Sequence, residues 1–177
     1  MQVKKLIESL KIREVVNNLP KEISQIYTVS SQVKENGMFV CINGFKADGH
    51  DFAEEAVKNG ATCIVCQKKL DLPVCQIIVE DTHKAISLLA SAFYGNPAQK
   101  LKIICVVCTN GKTSTAFIID GILNSSGGKS ALISTNGIYI DGNYIKNDMT
   151  TPDPLVLNGL FAQMVDANVE FCVMEMS

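Results

Sequence analysis

Apolar residues recur along the chain in two rhythms, one helical and one extended, and their alternation predicts most of its elements. Val3, Leu6, Ile7 and Leu10 stand at helical spacing and predict a short amphipathic helix over residues 2–11. Residues 26–31 read as extended, and Asn36-Gly37 is a turn before the apolar run Met38-Phe39-Val40-Cys41-Ile42. Residues 51–60 carry acids in the first turn, a lysine in the last and a glycine stop, the charge order that a helix dipole favours. Strands follow at 61–66 and 76–79. Asp81 then caps a helix with Ala85, Leu88, Leu89, Ala92 and Phe93 on one side, ending near Gly95-Asn96-Pro97. This β-α-β-β-α order makes a small α/β unit.

The polar stretch 96–102, which contains Pro97, separates this unit from a second apolar-periodic region. The expected domains are therefore residues 1–97 and 98–177. A strand beginning at Ile103 leads into the loop Thr109 to Ser114 and a helix over 115–124, with Phe117, Ile118, Ile119, Ile122 and Leu123 expected to face inward. Ser125-Ser126-Gly127-Gly128 stops that helix, and residues 131–135 form the next strand. A β-α-β unit of this kind sets its first loop at the carboxyl edge of a parallel sheet, where ligands bind in such folds. Asp141-Gly142 between two alternating segments predicts a hairpin over 138–145. Thr151-Pro152 reads as the cap and first residue of a helix running through Ala167, and residues 169–176 as a third buried strand.

Charge and composition narrow the partners. The net charge is −2 and no basic run occurs, so nothing points to nucleic acid or an anionic membrane surface. No stretch approaches the roughly 18 apolar residues of a membrane span, and the first residues lack a long apolar core, so a cytoplasmic protein is expected. Seven cysteines include two C-x-x-C spacings, Cys63/Cys66 and Cys105/Cys108. Both lie in apolar, β-branched runs where successive side chains alternate faces, so zinc is rejected in favour of buried thiols. Cys41, Cys75 and Cys172 also sit in or beside apolar runs. His50 and His83, the two histidines, are read as structural or solvated.

The chemistry lies in Ile103 to Ser114, where a buried strand breaks at Asn110-Gly111 and a helix restarts with Lys112 and Thr113. Backbone N–H groups of such a turn converge on phosphate oxygens, and the helix presents its positive end to the same anion. Lys112 would add a full charge for the outer phosphates, and the Thr113 hydroxyl would reach Mg²⁺. The strict G-x-x-x-x-G-K-[ST] pattern is not met, because Val106 stands where its first glycine belongs. The plainer reading is a strand, a turn and a helix with a surface lysine.

Thr109-Asn110-Gly111-Lys112-Thr113-Ser114 resembles the T-N-G-K-T-T core of the Mur ligases, ATP-dependent enzymes that add amino acids to the peptidoglycan precursor. Three further stretches agree in order and spacing with the tripeptide-forming branch of that family. Residues 44–52 are similar to its uridine-binding segment, Thr150-Thr151-Pro152 to its N-T-T-P segment, and Met174-Glu175-Met176-Ser177 to the opening of its M-E-V-S-S-H segment. The resemblance implies an α/β protein: a small N-terminal uridine-binding domain followed by an incomplete P-loop domain built on a parallel sheet. It implies ATP contacts from Cys108, Thr109, Asn110, Gly111, Lys112, Thr113 and Ser114, with Lys112 catalytic. Thr113 and Glu175 would hold Mg²⁺. Thr28, Ser30, Phe45, Lys46 and Ala47 would line the uridine pocket, and Thr150, Thr151 and Ser177 would touch the sugar-peptide.

The implied reaction uses ATP to convert a carboxylate of a UDP-N-acetylmuramoyl-peptide to an acyl phosphate, which an amino acid's amine then attacks to form the amide. Three departures accompany the resemblance. Val29-Ser30-Ser31 stands in place of a D-S-R triplet, Cys105 and Cys108 replace glycines, and Met149 replaces an asparagine. A loop glycine usually serves positive φ or close approach to phosphate, so a cost is expected at Cys108. The expectation is of an incomplete ligase that needs the C-terminal part of the family's architecture for turnover, its final apolar strand left as an unpaired sheet edge. The alternative is a non-catalytic nucleotide- or UDP-sugar-binding module of the same fold.

Overall fold

Runs of Val, Ile and Cys too apolar to meet water on either side form the middle strands of two sheets, one in each half of the chain. The computed structural model describes all residues except Phe45, Lys46 and Asp148. It divides into two units, Met1–Phe93 and Tyr94–Ser177. Two of the expected uridine contacts, Phe45 and Lys46, lie outside the described residues.

The first unit opens with α1 (Val3–Leu6) and β1 (Ile12–Val16), followed by β2 (Ile26–Tyr27), β3 (Gly37–Val40), α2 (Ala53–Lys58), β4 (Ala61–Cys66), β5 (Cys75–Val79) and α3 (Thr82–Phe93). Its sheet runs β1-β5-β4-β3-β2, parallel except for β1 against β5. Phe39, Cys41, Ile64 and Cys66 pack with Ala53 and Ala56 of α2 on one face. Met38, Val40, Cys63 and Val65 alternate to the opposite face and are equally buried, which is why these strands read as continuous apolar runs.

Three features of this unit differ from the sequence reading. Of residues 26–31, only Ile26–Tyr27 is strand, and Ser30–Gln32 turns as a 3₁₀ helix. The predicted helix over 2–11 shrinks to the single turn of α1, with Val3 and Leu6 fully buried. One turn is held by tertiary contacts, here Val3 N–H to the Lys21 carbonyl at 3.0 Å, because four residues cannot repay helix nucleation. Strand β1 has no counterpart in the reading, since Arg13 and Glu14 break its apolar pattern and its three central positions are exposed.

The second unit runs β6 (Lys102–Val106), α4 (Lys112–Ser125), β7 (Ser130–Ser134), β8 (Gly137–Ile140), β9 (Asn143–Ile145), α5 (Pro154–Asp166) and β10 (Phe171–Glu175). Strand order is β6-β10-β7-β8-β9, with the first three parallel and the rest antiparallel. On one face Val106, Leu132 and Val173 meet Ala116 of α4. On the other, Ala131, Ile133, Cys172 and Met174 meet Leu160, Phe161 and Met164 of α5. The hairpin turn has positive φ at both Asp141 (50°) and Gly142 (78°), the primed turn that Asp-Gly favours.

Several expectations are corrected here. Strand β10 is not a free edge: it lies between β6 and β7, with Phe171 opposite both Lys102 and Ser130, so β6 and β9 form the edges. Helix α4 starts at Lys112, and Ile118 and Ile122 are each 62% exposed, because Ala116, Ile119 and Leu123 form its inward stripe. Helix α5 starts at Pro154, capped by Asp153, whose carboxylate accepts from Leu155 N–H (3.0 Å) and Val156 N–H (3.1 Å); Thr151 is not the cap. Cys105 and Cys108 are exposed, whereas the other five cysteines are buried.

Candidate functional site

Parallel register brings the ends of three strands level. Val106, the last residue of β6, pairs with Glu175, the last of β10, and the Val106 carbonyl accepts from Met176 N–H at 3.1 Å. From Val106 the chain turns through residues 107–111 into α4. Gly111 makes the entry at φ 80°, and no side chain caps the helix there. The first N–H groups of a helix have no intrahelical partners, so those of α4 face outward at the positive end of a 14-residue dipole.

Lys112 bends back over this turn. Its Nζ donates to the Cys108 carbonyl at 2.7 Å and the Thr109 carbonyl at 3.3 Å, so the ammonium sits on the concave side of the loop. The Cys108 thiol donates to the Asn110 carbonyl at 3.0 Å. Cys108 is not among the residues with positive φ, so the glycine-type backbone expected at that position does not occur.

Glu175 is 1% exposed and closes the other side. Its Oε2 accepts from Thr113 Oγ1 (3.1 Å) and Thr135 Oγ1 (3.2 Å), and its Oε1 accepts from Thr135 N–H (3.1 Å). All three donors are neutral. A buried carboxylate surrounded by hard oxygens with no sulfur or nitrogen ligand suits Mg²⁺, which takes one or two protein oxygens and completes its shell with phosphate and water. Among the described residues no group of three or more His, Cys, Asp or Glu side chains is arranged for a metal, so such an ion would depend on a ligand's oxygens.

The hydroxyl cluster extends further. Thr135 Oγ1 is 3.2 Å from Thr150 Oγ1, Thr151 Oγ1 donates to the Glu175 carbonyl at 3.4 Å, and Ser177 N–H donates to Thr151 Oγ1 at 3.2 Å. Lys112, Thr113, Glu175, Thr150, Thr151 and Ser177, chosen from sequence, thus gather at one sheet edge of the second unit. Thr135 belongs with them and was missed, because a threonine one residue beyond a strand carries no signal of its own.

In the first unit the segment 44–49 is framed by its own polar contacts. Gly44 N–H donates to the Ala47 carbonyl at 3.0 Å and Gly49 N–H to the Ile42 carbonyl at 2.9 Å. Asp48 Oδ1 accepts from the His50 backbone N–H at 3.0 Å and from its ring Nδ1 at 2.5 Å, while Gln67 N–H donates to His50 Nε2 at 3.0 Å. With Nε2 accepting and Nδ1 directed at Asp48, His50 is a buried strut between the two segments. Hydrogen bonds from His50, backbone first, hold the Asp48 carboxyl below its usual range. Ser30 is buried and donates to Glu55 Oε2 at 2.5 Å, tying its turn to α2. Thr28 is half-buried and Ala47 exposed.

Comparison with known proteins bears on this geometry. The model for the Mur ligase middle domain matches residues 106–177, and that for the Mur ligase family, catalytic domain, matches residues 22–94. The chain belongs to the Mur ligase family. It is 42% identical, over its whole length and 37% of the relative's, to UDP-N-acetylmuramoyl-L-alanyl-D-glutamate–2,6-diaminopimelate ligase 1 of Clostridium acetobutylicum. It is also 42% identical, with the same two coverages, to UDP-N-acetylmuramyl-tripeptide synthetase 2 of Oceanobacillus iheyensis. The chain thus spans little more than a third of the length of these Mur ligases. Among solved structures, a UDP-N-acetylmuramoyl-L-alanyl-D-glutamate–2,6-diaminopimelate ligase shares the fold at TM-score 0.72 and 22% identity, over 89% of this chain and 32% of that one. The MurF ligase of Thermotoga maritima, solved in complex with ADP, aligns at TM-score 0.55 and 26% identity, over 86% of this chain and 31% of that one. No helix among the described residues is long and apolar enough to cross a membrane.

Proposed function

We propose that this chain carries the ATP- and Mg²⁺-binding edge, and a uridine-nucleotide-binding unit, of an ATP-dependent ligase that joins an amino acid to a UDP-N-acetylmuramoyl-peptide. The observation that carries the reading is the convergence of Lys112, bent over the loop, with Thr113 and Glu175, whose oxygens lie 3.1 Å apart. The names of the relatives, which include tripeptide synthetases and diaminopimelate ligases, supply the substrate class.

Catalysis of phosphoryl transfer rests on positioning and charge neutralisation. Lys112 exchanges the Cys108 and Thr109 carbonyls for the outer phosphate oxygens, and the uncapped N–H groups of α4 hold the same phosphates. Thr109, Asn110, Gly111 and Ser114 shape that seat. Thr113 and Glu175 would hold Mg²⁺, which would supply charge neutralisation for the phosphates. The γ-phosphoryl group passes to a substrate carboxylate with release of ADP, and the amine displaces phosphate from the acyl phosphate. Thr150, Thr151 and Ser177 offer hydroxyls to the sugar-peptide, and Thr28, Ser30, Phe45, Lys46 and Ala47 are assigned to uridine.

Calorimetric titration of the chain with ATP, with and without Mg²⁺, tests the reading. Saturable binding that strengthens with Mg²⁺ and weakens in Lys112→Ala is expected; absence of ATP binding in both conditions would overturn it.

A further inference from the structure

Glu175 offers two oxygens, and only one of them faces Thr113. Thr135 determines which. Its backbone N–H takes Oε1 at 3.1 Å while its hydroxyl takes Oε2 at 3.2 Å, so a single residue grips both ends of the carboxylate and fixes the plane in which it lies. Thr113 Oγ1 then approaches Oε2 alone. Thr135 stands in the two-residue turn between β7 and β8, where Ser134 pairs with Gly137 and the buried Ser134 hydroxyl donates to the Gly137 carbonyl at 2.9 Å. The Asn147 side chain donates to the Ser134 carbonyl at 2.8 Å, adding a second brace. The grip is therefore rigid.

A hydroxyl has one proton, and Thr135 Oγ1 has two oxygen neighbours at 3.2 Å, Glu175 Oε2 and Thr150 Oγ1. Thr135 is the donor toward either one, and the carboxylate is the stronger acceptor, so the proton goes to Glu175.

We propose that Thr135 is a positioning residue for the Mg²⁺-binding carboxylate: its backbone N–H occupies Oε1 and its hydroxyl steadies Oε2, the oxygen that faces Thr113. The inference rests on the reading of Thr113 and Glu175 as the Mg²⁺ pair. Partners that orient a ligating group typically change metal affinity by about 10- to 100-fold when removed.

The test is the Mg²⁺ concentration that half-saturates the Mg²⁺-dependent gain in ATP affinity, measured by calorimetry on the 177-residue chain. Thr135→Val and Thr135→Ala lose the hydroxyl but keep the N–H; Thr135→Ser keeps both. Thr135 is exposed, so neither truncation opens a cavity, and thermal unfolding of each variant checks the fold. The expected result is a rise of about tenfold or more in the Mg²⁺ requirement for Val and Ala, restoration to within about twofold by Ser, and unchanged ATP affinity without Mg²⁺. An unaltered Mg²⁺ requirement in Val and Ala overturns the proposal alone. So does an equal loss in Ser, or unfolding of both truncations, since each assigns Thr135 a purely structural part. A wild-type chain whose ATP binding ignores Mg²⁺ overturns the assignment of Thr113 and Glu175 together with it.

Discussion

Thr113 Oγ1 donates to Glu175 Oε2 at 3.1 Å across 62 residues of sequence. Strand β10 makes that meeting possible: by entering the sheet between β6 and β7 it sets the last residue of the chain's final strand level with the first turn of α4. The contact joins the first turn of α4 to an acid buried to 1% exposure, and Glu175→Gln isolates its charge. The amide keeps the shape and an acceptor for the Thr135 N–H, while the threonine hydroxyls can turn to accept from its NH₂. Stability without ligand should therefore change by about 1 kcal/mol or less. The Mg²⁺-dependent part of ATP binding should disappear, as calorimetry with and without Mg²⁺ would report.

Lys112→Ala removes the ammonium from an exposed loop, where its two carbonyl partners regain water. The unfolding transition should barely move. ATP affinity should fall about tenfold to a hundredfold, the equivalent of about 1.5–3 kcal/mol for a hydrogen bond to a charged group. An affinity within twofold of wild type would remove Lys112 from the site.

Two glycines separate strain from collision. A Cβ on Gly137 would stand 2.2 Å from the Tyr144 ring at φ 139°, and that hairpin carries Thr135. Gly137→Ala should cost about 2 kcal/mol or more of stability in denaturant unfolding. A Cβ on Gly111 meets nothing within 4 Å, so only its φ of 80° opposes substitution. Gly111→Ala should cost about 1 kcal/mol, with a larger loss of ATP affinity. Equal stability effects would show that the Tyr144 contact yields freely.

Thiol chemistry follows exposure. Burial pushes Cys66 up to about 11 and Cys172 up to about 12, and raises Cys41 as well, while Cys105 and Cys108 are exposed. Limited iodoacetamide treatment of the native chain near pH 8, read by peptide mass spectrometry, should label Cys105 and Cys108 first. ATP with Mg²⁺ should slow labelling of Cys108, whose thiol lies in the loop against Asn110. Early labelling of Cys66 or Cys172 would contradict the core packing. Because Cys108 lacks positive φ, Cys108→Gly can tighten nucleotide binding only by removing side-chain bulk. Cys108→Ala should then recover part of any gain, whereas a backbone effect would be confined to Gly.

The depressed Asp48 carboxyl links its frame to pH. A carboxyl whose folded value lies below the unfolded one stabilises the fold at pH above the unfolded value, about 3.9, and loses that contribution as pH falls through the folded value. Asp48→Asn should remove stability at neutral pH and make acid unfolding less steep below about pH 4. Parallel acid-unfolding curves for the two proteins would exclude this part for Asp48.

The buried strands were legible because both sheets bury two faces: the stretches beginning at Ala61 and Cys75 have no polar alternation to confuse with a helix. The hairpin was legible because Asp141-Gly142 must take positive φ. Lys112, Thr113 and Glu175 were found through motif resemblance, and their convergence depends on tertiary register that no local pattern encodes. Strand β1 escaped notice because its charged residues face water and one neighbour, β5, holds it. The position of β10 was misread for a related reason: strand order depends on crossovers between distant segments, and an apolar strand reads alike at the edge or in the middle. The inward face of α4 was misjudged because Phe117, Ile118 and Ile122 are apolar yet lie off the stripe set by Ala116, Ile119 and Leu123.

Thermal unfolding of the wild-type chain and of Glu175→Gln, each with saturating ATP in the presence and absence of Mg²⁺, tests the central claim most directly. A ligand that binds the folded chain raises its midpoint by mass action. The account predicts that Mg²⁺ adds to the ATP-induced rise in the wild type and adds nothing in the variant. An equal Mg²⁺ increment in both proteins, or none in the wild type, would contradict it.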